Sequence, residues 1–324
     1  MKPYVLGIDI GGTNTVFGIV DARGNVIASS SIKTGKHADF NDYLEELYTE
    51  ASRLIEVNDA IDKIQGIGIG APNANYYTGE INNAANLPWK DVKLSQLVSE
   101  KFGIPVAVTN DANAAALGEM TYGAARGLKD FIMITLGTGV GSGIVINGQV
   151  VYGHDGLAGE LGHMIIKRNN GRLCGCGRTG CLEAYCSATG VARSAREFLE
   201  IRTEPSLLRN IPVEEITSKD VYDAAIKGDQ LAKDIFDYTG TLLGEALADM
   251  VVFSSPEAFI LFGGLSKSGD LLLKPLREAM DRNTMSIFRG KAKIILSELK
   301  EADAAVLGAS ALGWEAKPLS SQQA

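Results

Sequence analysis

The first thirty residues alternate apolar stretches with turns that contain glycine. The stretches read YVLGIDI, TVFGIVD and NVIASSSI, and Arg23-Gly24 lies in the turn before the last one. Short runs rich in Val and Ile that end at glycine or polar turns are typical of β-hairpins. The pattern therefore predicts three antiparallel strands at the start of the chain.

The next segment mixes two hydrophobic periods. Helical spacing predicts helices at about residues 39–57 and near Leu94–Phe102. The runs IQGIGIG at Ile64–Gly70 and VAVTN, which ends at Asn110, predict buried strands. Because strands and helices alternate, the chain is expected to have an α/β fold.

The strand pattern starts again at Asp130. FIMITLGTGVGSGIVINGQVV predicts three further strands, and GTNTVFGIV (residues 12–20) matches GTGVGSGIV (residues 137–145) at five of nine positions. Self-similarity at corresponding places in two halves indicates a duplicated domain. The boundary is expected between Asp111 and Asp130.

The second half continues with predicted helices over residues 191–253, a strand at 258–264 and a strand AKIILS. The last predicted helix, residues 302–314, is expected to return to the first domain. We therefore predict a small N-terminal α/β domain of residues 1–117 and 302–324. A larger C-terminal α/β domain takes residues 118–301.

Composition narrows the class of protein. With 324 residues, of which 45% are hydrophobic and 22% charged, the chain can form two globular domains. A formal net charge of -8 without a Lys/Arg-rich run argues against nucleic-acid binding. No signal-peptide pattern and no apolar stretch of transmembrane length is seen. We expect a cytoplasmic protein without membrane contact, in which the four cysteines are thiols.

Two glycine-rich turns are candidates for phosphate binding. DIGGT begins at Asp9 and ends the first predicted strand, and LGTGVGSG begins at Leu136 in the corresponding place of the second half. Glycines let backbone N–H groups approach phosphate oxygens, and a carboxylate can hold hydrated Mg²⁺. A plain hairpin turn explains either motif alone, but two copies favour phosphate binding. Neither is a P-loop, because the chain lacks Gly-x4-Gly-Lys-Ser/Thr.

Asn110 and Asp111 stand at the end of a predicted strand, immediately before an alanine-rich helix. Either side chain can cap the helix by accepting a hydrogen bond from its first turn, and this is the simpler interpretation. Asp111 can instead act as a general base, since ligands of open α/β sheets bind at the carboxyl ends of strands.

All four cysteines fall in GRLCGCGRTGCLEAYCS, residues 171–187, shortly after GELGH. Four of the residues follow the spacing His-x10-Cys-x-Cys-x4-Cys and suit a tetrahedral Zn²⁺ site, namely His163, Cys174, Cys176 and Cys181. Cys186 could replace one of them. A disulfide is disfavoured in a reducing compartment, and a catalytic thiol would have only His37 or His154 left as partner. With four protein ligands the ion would be structural and would fix the loop that carries Glu160 and Glu183.

Together these motifs resemble those of the ROK family of bacterial sugar kinases, particularly its glucokinases, in the hexokinase/actin-like superfamily. The resemblance runs from GIDIGGT to AAVLGAS, and its most specific part is ELGH followed by CGCGRTGCLE. It implies two duplicated actin-like, ribonuclease H-like domains with a cleft between them. It also implies ATP-dependent phosphorylation of a hexose, with Mg²⁺ accompanying ATP and a structural Zn²⁺.

The resemblance implies roles position by position. Asp111 stands where the family has its catalytic base. The nucleotide positions are Asp9, Gly11, Gly12, Thr13, Thr138, Gly139, Gly263 and Gly264. The sugar positions are Asn86, Asn110, Asp111, Glu160, His163 and Glu183, and the zinc positions are His163, Cys174, Cys176 and Cys181.

One stretch departs from the family pattern. GAPNANYYTGE has Asn73 after Pro72, where the family has glycine. Asn tolerates a positive φ, so the turn is expected to form. Its side-chain amide is expected to influence which sugar is bound, because it can contact the substrate. Glucose, phosphorylated at its 6-hydroxyl, is the expected substrate.

The alternatives are a kinase for fructose, mannose, N-acetylmannosamine or N-acetylglucosamine, or a non-catalytic sugar-binding regulator. Repressors of the family add an N-terminal helix-turn-helix, whereas this chain opens on YVLGIDI, which disfavours the regulator. We expect a homo-oligomer, either a dimer or a tetramer.

Overall fold

Strands and helices alternate in the computed structural model of the protein, which describes residues 2–84 and 86–317. The strands within this part are β1 (Tyr4–Ile10), β2 (Asn14–Asp21), β3 (Val26–Lys33), β4 (Ile64–Gly70), β5 (Ile81–Asn82), β6 (Asp91–Val92), β7 (Val106–Thr109), β8 (Phe131–Leu136), β9 (Val140–Ile146), β10 (Gln149–Val150), β11 (Ala258–Phe262) and β12 (Lys293–Leu296). The helices are α1 (Phe40–Val57), α2 (Leu94–Phe102), α3 (Asp111–Tyr122), α4 (Glu183–Cys186), α5 (Ala188–Ile201), α6 (Ser218–Ile226), α7 (Gln230–Ser254), α8 (Asp270–Asn283) and α9 (Glu301–Gly313). No helix in the described ranges combines the length and apolar character needed to cross a membrane.

The chain divides into two compact units. Unit one comprises Met1–Lys129, Gly143–Gly159 and Ser297–Ala324, and unit two comprises Asp130–Ser142 and Glu160–Leu296. Helix α9 belongs to unit one, so the last helix returns to the first part of the chain. The predicted domain limits, residues 1–117 with 302–324 and residues 118–301, stay a prediction.

A five-stranded sheet with the order β3-β2-β1-β4-β7 forms the centre of unit one. The predicted opening is confirmed, because β1 pairs antiparallel with β2 and β2 pairs antiparallel with β3. β4 is parallel to both β1 and β7, so the carboxyl ends of these three strands lie at one edge. Residues at the end of β1 and just after β7 are thereby brought together.

The alternation along β4 gives its two faces different partners. Ile67 and Ile69 join the apolar core that contains buried residues of α1 and α2. Gly66 and Gly68 lie on the opposite face, where a Cβ on Gly68 would be 1.9 Å from the carbonyl oxygen of Ala309 in α9. The glycines therefore let the backbone of α9 lie directly against the sheet.

The second sheet has the order β10-β9-β8-β11-β12, which repeats the order of the first sheet strand for strand. β11 is parallel to β8 and to β12. β9 begins in unit two and ends in unit one, where it pairs antiparallel with β10. The repeated order confirms the duplication that the sequence predicts.

Replacing Gly68 by alanine is expected to lower the free energy of unfolding by about 3 kcal/mol, because the methyl group would overlap the backbone of α9. Gly35→Ala is the control, since its Cβ would meet only the carbonyl oxygen of Gly12 at 3.5 Å. Urea unfolding measures both variants. Equal stabilities of the two variants would contradict the close packing of α9 on β4.

Candidate active site

The first glycine turn joins β1 to β2. The N–H of Gly11 donates to the carbonyl oxygen of Asn14 at 3.0 Å, and the carbonyl oxygen of the exposed Thr13 accepts from the N–H of Thr34 at 3.1 Å. A Cβ on Gly12 would lie 2.5 Å from the carbonyl oxygen of Asn86. The turn therefore touches the segment that carries a predicted sugar residue.

Asn110 caps α3, while the role of Asp111 as a general base stays a prediction. Its side-chain oxygen accepts from the N–H of Asn113 at 2.7 Å, and α3 begins at the next residue, Asp111. One carboxylate oxygen of Asp111 accepts from the N–H of Ala112 at 2.9 Å. Because Asn110 supplies the cap, the helix does not require Asp111 for that purpose.

Asp9 and Asp111 lie on either side of the end of β4. A Cβ on Gly70 would be 3.5 Å from a carboxylate oxygen of Asp9 and 3.8 Å from the Cα of Asp111. Burial, together with the charge of Asp111, raises the pKa of Asp9 to about 7. Asp111 reaches solvent, yet the protein atoms around its carboxyl desolvate it enough to raise its pKa as well. Two carboxylates whose pKa values are both raised are typical of an acid–base site.

Asn86 is exposed in unit one, and the loop that follows it is anchored through Trp89. The indole N–H of Trp89 donates to the carbonyl oxygen of His37 at 3.2 Å, and its ring packs on Phe40 and Tyr43. Asn73, the departure from the family pattern, adopts φ 53°. Its amide nitrogen donates to the carbonyl oxygens of residues 82 and 83 at 3.2 and 3.3 Å. Asn73 therefore adopts the conformation that the turn needs, and its amide nitrogen donates to the neighbouring backbone.

The second glycine turn, residues 137–140 of unit two, is held by the segment that follows the cysteines. The N–H of Ala188 donates to the carbonyl oxygen of Gly137 at 2.8 Å, and the hydroxyl of Thr189 donates to the carbonyl oxygen of Thr138 at 2.8 Å. The N–H of Val140 donates to a carboxylate oxygen of Glu183 at 3.0 Å. Nothing in the motif LGTGVGSG signals these contacts, although Ser187, the N-cap of α5, has a residue type typical of a helix start.

The turn after β11 lies beside the same loop. Gly263 has φ 102°, and a Cβ there would be 2.5 Å from the carbonyl oxygen of Leu136, the residue before the loop. Gly264 follows it and is exposed, with no neighbour within 4 Å of an added Cβ. The structure therefore brings together the nucleotide positions of unit two, Thr138, Gly139, Gly263 and Gly264.

Four candidate metal ligands converge in unit two. One ligand atom from each of them lies within 4.8 Å of the others, and they are His163, Cys174, Cys176 and Cys181. The sulfur atoms of Cys176 and Cys181 are 3.7 Å apart. Cys186 is not part of this group, because its buried thiol donates to the carbonyl oxygen of Thr239 at 3.6 Å. The donor set suits Zn²⁺, which prefers tetrahedral coordination by thiolates and imidazoles.

The two ring nitrogens of His163 face different groups. Nδ1 lies 3.7 Å from the sulfur of Cys174, and Nε2 lies 3.9 Å from a carboxylate oxygen of Glu160. Burial raises the pKa of Cys174 to about 12, whereas a hydrogen bond from the N–H of Arg178 lowers the pKa of Cys176 to about 6. A cation at the group would offset the cost of a buried thiolate at Cys174.

Asp9→Asn is expected to raise the melting temperature at pH 8 by about 2 °C or more, and to leave it unchanged at pH 4. The raised pKa of Asp9 means that the folded protein loses stability as pH rises from 3.8, the ordinary value, to about 7. Replacing Asp9 by the uncharged Asn therefore restores this stability at pH values above about 7 and changes nothing at pH values near 3.8. Asp62→Asn, on the surface of unit one, is the control, and calorimetry at both pH values measures the difference. An equal gain at the two pH values would contradict the assigned burial of Asp9.

Comparison with known proteins agrees with these features. The ROK family model matches residues 5–316. The glucokinase of Halalkalibacterium halodurans is 37% identical over 329 residues, which cover 97% of this chain and 95% of that protein. The xylose repressor of Caldicellulosiruptor bescii is 31% identical, over 95% of this chain and 77% of the repressor.

Among solved structures, a ROK family glucokinase from Streptomyces griseus in complex with glucose and AMPPNP superposes with a TM-score of 0.78. It is 33% identical, and the match covers 96% of this chain and 99% of that chain. The predicted α/β fold class, with duplicated actin-like halves, is confirmed by this likeness and by the two sheets. The chain belongs to the ROK family.

Proposed function

We propose that the protein transfers the γ-phosphoryl group of ATP to a hexose, converting glucose to glucose 6-phosphate. The observation that carries the proposal is the pair of carboxyls with raised pKa values, Asp9 and Asp111, which lie on either side of the carboxyl end of β4, at the ends of the parallel strands β1 and β7. The likeness to a glucokinase of H. halodurans and to a structure that holds glucose and AMPPNP supports the choice of substrates.

Asp111 is the general base of this reaction. It takes the proton of the sugar 6-hydroxyl while that oxygen forms a bond to the γ-phosphorus and the bond from this phosphorus to ADP breaks. A base is most effective when its pKa lies near the working pH, and burial moves the pKa of Asp111 in that direction. The N–H of Ala112 holds one carboxylate oxygen in place, so the carboxylate is oriented by the start of α3.

Asp9 serves the nucleotide side. It would hold the Mg²⁺ that accompanies ATP, and the ion would supply positive charge near the phosphoryl oxygens. In unit one the backbone at Gly11, Gly12 and Thr13 is the proposed phosphate-binding segment, and in unit two it is the backbone at Thr138 and Gly139. Gly263 and Gly264 extend the nucleotide site of unit two, because their turn lies against Leu136.

The proposed hydrogen-bonding groups for the sugar are Asn86 and Asn110 in unit one and Glu160, His163 and Glu183 in unit two. Asn110 uses its oxygen to cap α3, so its amide N–H groups are what it offers to a hydroxyl. Nε2 of His163 points toward Glu160, which places a donor and a carboxylate side by side. Such pairs recognise hydroxyl groups, each of which both donates and accepts a hydrogen bond.

A Zn²⁺ ion would be held by His163, Cys174, Cys176 and Cys181, and it would supply a rigid support for the sugar-binding loop. The donor set fits the ion, and four protein ligands leave no open position for chemistry. We further propose that the enzyme acts in the cytoplasm, where ATP is available and its free thiols persist, as a homodimer or homotetramer without nucleic-acid or membrane partners.

A coupled assay of ADP release over a panel of hexoses and amino sugars tests the function. Glucose is expected to give the highest kcat/KM, and Asp111→Asn is expected to lower kcat by about 100-fold or more while folding is retained. Folding is retained because Asn110 still caps α3. Binding of glucose without turnover of any sugar would favour a regulator, and normal turnover by the folded variant would remove Asp111 from the role of base.

Purified protein is expected to contain one Zn²⁺ per chain, and Cys176→Ser is expected to lose the ion. The KM for glucose should rise by about tenfold, more than the KM for ATP, because the freed loop carries Glu160 and Glu183. Cys186→Ala is the matched control and should keep its zinc, since Cys186 lies outside the group. Mass spectrometry measures the zinc content of each variant, and steady-state kinetics measures the KM values for glucose and ATP. Full activity of a zinc-free preparation would contradict the structural role.

A further inference from the structure

The segment that follows the metal ligands is bonded to the second glycine turn at three successive places. Glu183 accepts from Val140, Ala188 donates to Gly137, and Thr189 donates to Thr138. Two of these bonds use backbone groups or a small hydroxyl. The third uses the carboxylate of Glu183, which is the member of the set proposed to contact the sugar.

The glycine at position 139 is needed for this contact. A Cβ there would lie 2.4 Å from the bonded carboxylate oxygen of Glu183 and 3.3 Å from its carboxyl carbon. The missing side chain therefore makes room for a carboxylate, in addition to any room that phosphates need. An added methyl group would displace Glu183 from Val140, because under 3 Å one of the two groups has to move.

The other oxygen of Glu183 faces the metal group. It lies 3.5 Å from the sulfur of Cys174. One carboxylate thus spans the space between the metal-ligand loop and the turn. One oxygen accepts from the N–H of Val140 and the other faces the sulfur of Cys174, so the carboxylate is in contact with both segments.

Unit one contains a similar arrangement. Gly12 of its glycine turn lies against the carbonyl oxygen of Asn86, at 2.5 Å from an added Cβ. In each unit a glycine of the glycine-rich turn, Gly12 or Gly139, therefore lies against a residue that is proposed to bind the sugar. The contact in unit two is the one made by a side chain, and it can be altered without changing the backbone.

We propose that Glu183 is a positioning residue that couples sugar binding to the conformation of the phosphate turn, an inference that rests on the proposed function. A sugar hydroxyl that bonds to Glu183 restrains its carboxylate, and the carboxylate restrains the N–H of Val140 and with it the turn. Linkage requires the reverse as well, so a bound nucleotide tightens the sugar site by the same factor. Glucose binding then prepares the turn for ATP.

The coupling factor is the Kd of AMPPNP without glucose divided by its Kd with saturating glucose, measured by calorimetry on the zinc-loaded protein. We expect a factor of about five or more for the unaltered chain. Glu183→Ala is expected to bring the factor to about one, whereas Glu183→Gln should retain it, since the amide oxygen still accepts from Val140. A residue that merely contacts the sugar would change the Kd for glucose and leave the coupling factor unaltered.

Gly139→Ala supplies an independent route to the same result. It should lower the coupling factor as far as Glu183→Ala does, and the double variant should be no worse, because both changes remove one contact. Gly137→Ala is the matched control in the same turn, since an added Cβ there meets nothing within 4 Å, and it should keep the coupling. Metal analysis of every variant separates loss of Glu183 from loss of zinc.

The two proposals fail in different ways. A chain that phosphorylates glucose but has the same coupling factor in Glu183→Ala and Gly139→Ala as in the unaltered protein overturns the positioning role and leaves the function standing. Absence of coupling in the unaltered protein has the same effect. A chain that phosphorylates no sugar in the panel overturns the function, and the inference falls with it.

Discussion

Close approach of the backbone to other groups, at positions where no side chain fits, is the constraint on which this structure depends. Gly68 lets α9 lie on the first sheet, and Gly70 lies beside a carboxylate oxygen of Asp9 and the Cα of Asp111. Gly12 and Gly139 let each glycine-rich turn touch a segment that carries a residue proposed to bind the sugar. Because a methyl group at any of these positions meets an atom within 3.5 Å, the core and the active site share one packing requirement.

The two carboxyls, Asp9 and Asp111, lower the stability of the folded state, and the surrounding fold holds them in place despite this. Burial and mutual repulsion raise the pKa of Asp9, so the folded state is less stable near neutral pH than it would be without this charge. The pair persists because the parallel register of β1, β4 and β7 fixes both residues at one sheet edge. Asn110 caps α3 in place of Asp111. Stability is thereby reduced at the site where Asp111 is proposed to act as a base.

Local patterns in the sequence predict the elements well, and contacts between distant residues poorly. β4 and α2 have the predicted limits, Ile64–Gly70 and Leu94–Phe102, because their residues follow one hydrophobic period up to a glycine. The short helix α4 shows no hydrophobic period in the sequence. The hydrogen bond from the N–H of Val140 to Glu183 joins two residues 43 positions apart, and no periodic pattern in the sequence indicates it. The spacing of four cysteines allowed Cys186 as a ligand, and only the packing of its thiol against Thr239 separates it from the metal group.

A metal ion bound by His163, Cys174, Cys176 and Cys181 would influence the second glycine turn, which is proposed to bind phosphates. Cys174 and Val140 are joined through the single carboxylate of Glu183, so a disturbance of the metal loop reaches the turn across two contacts. The same loop orients His163, whose Nδ1 faces the sulfur of Cys174. When Nδ1 is bound to a metal, the proton of the neutral ring must sit on Nε2, which then donates toward Glu160. The metal would therefore set both the position and the hydrogen-bonding direction of His163, which is proposed to bind the sugar.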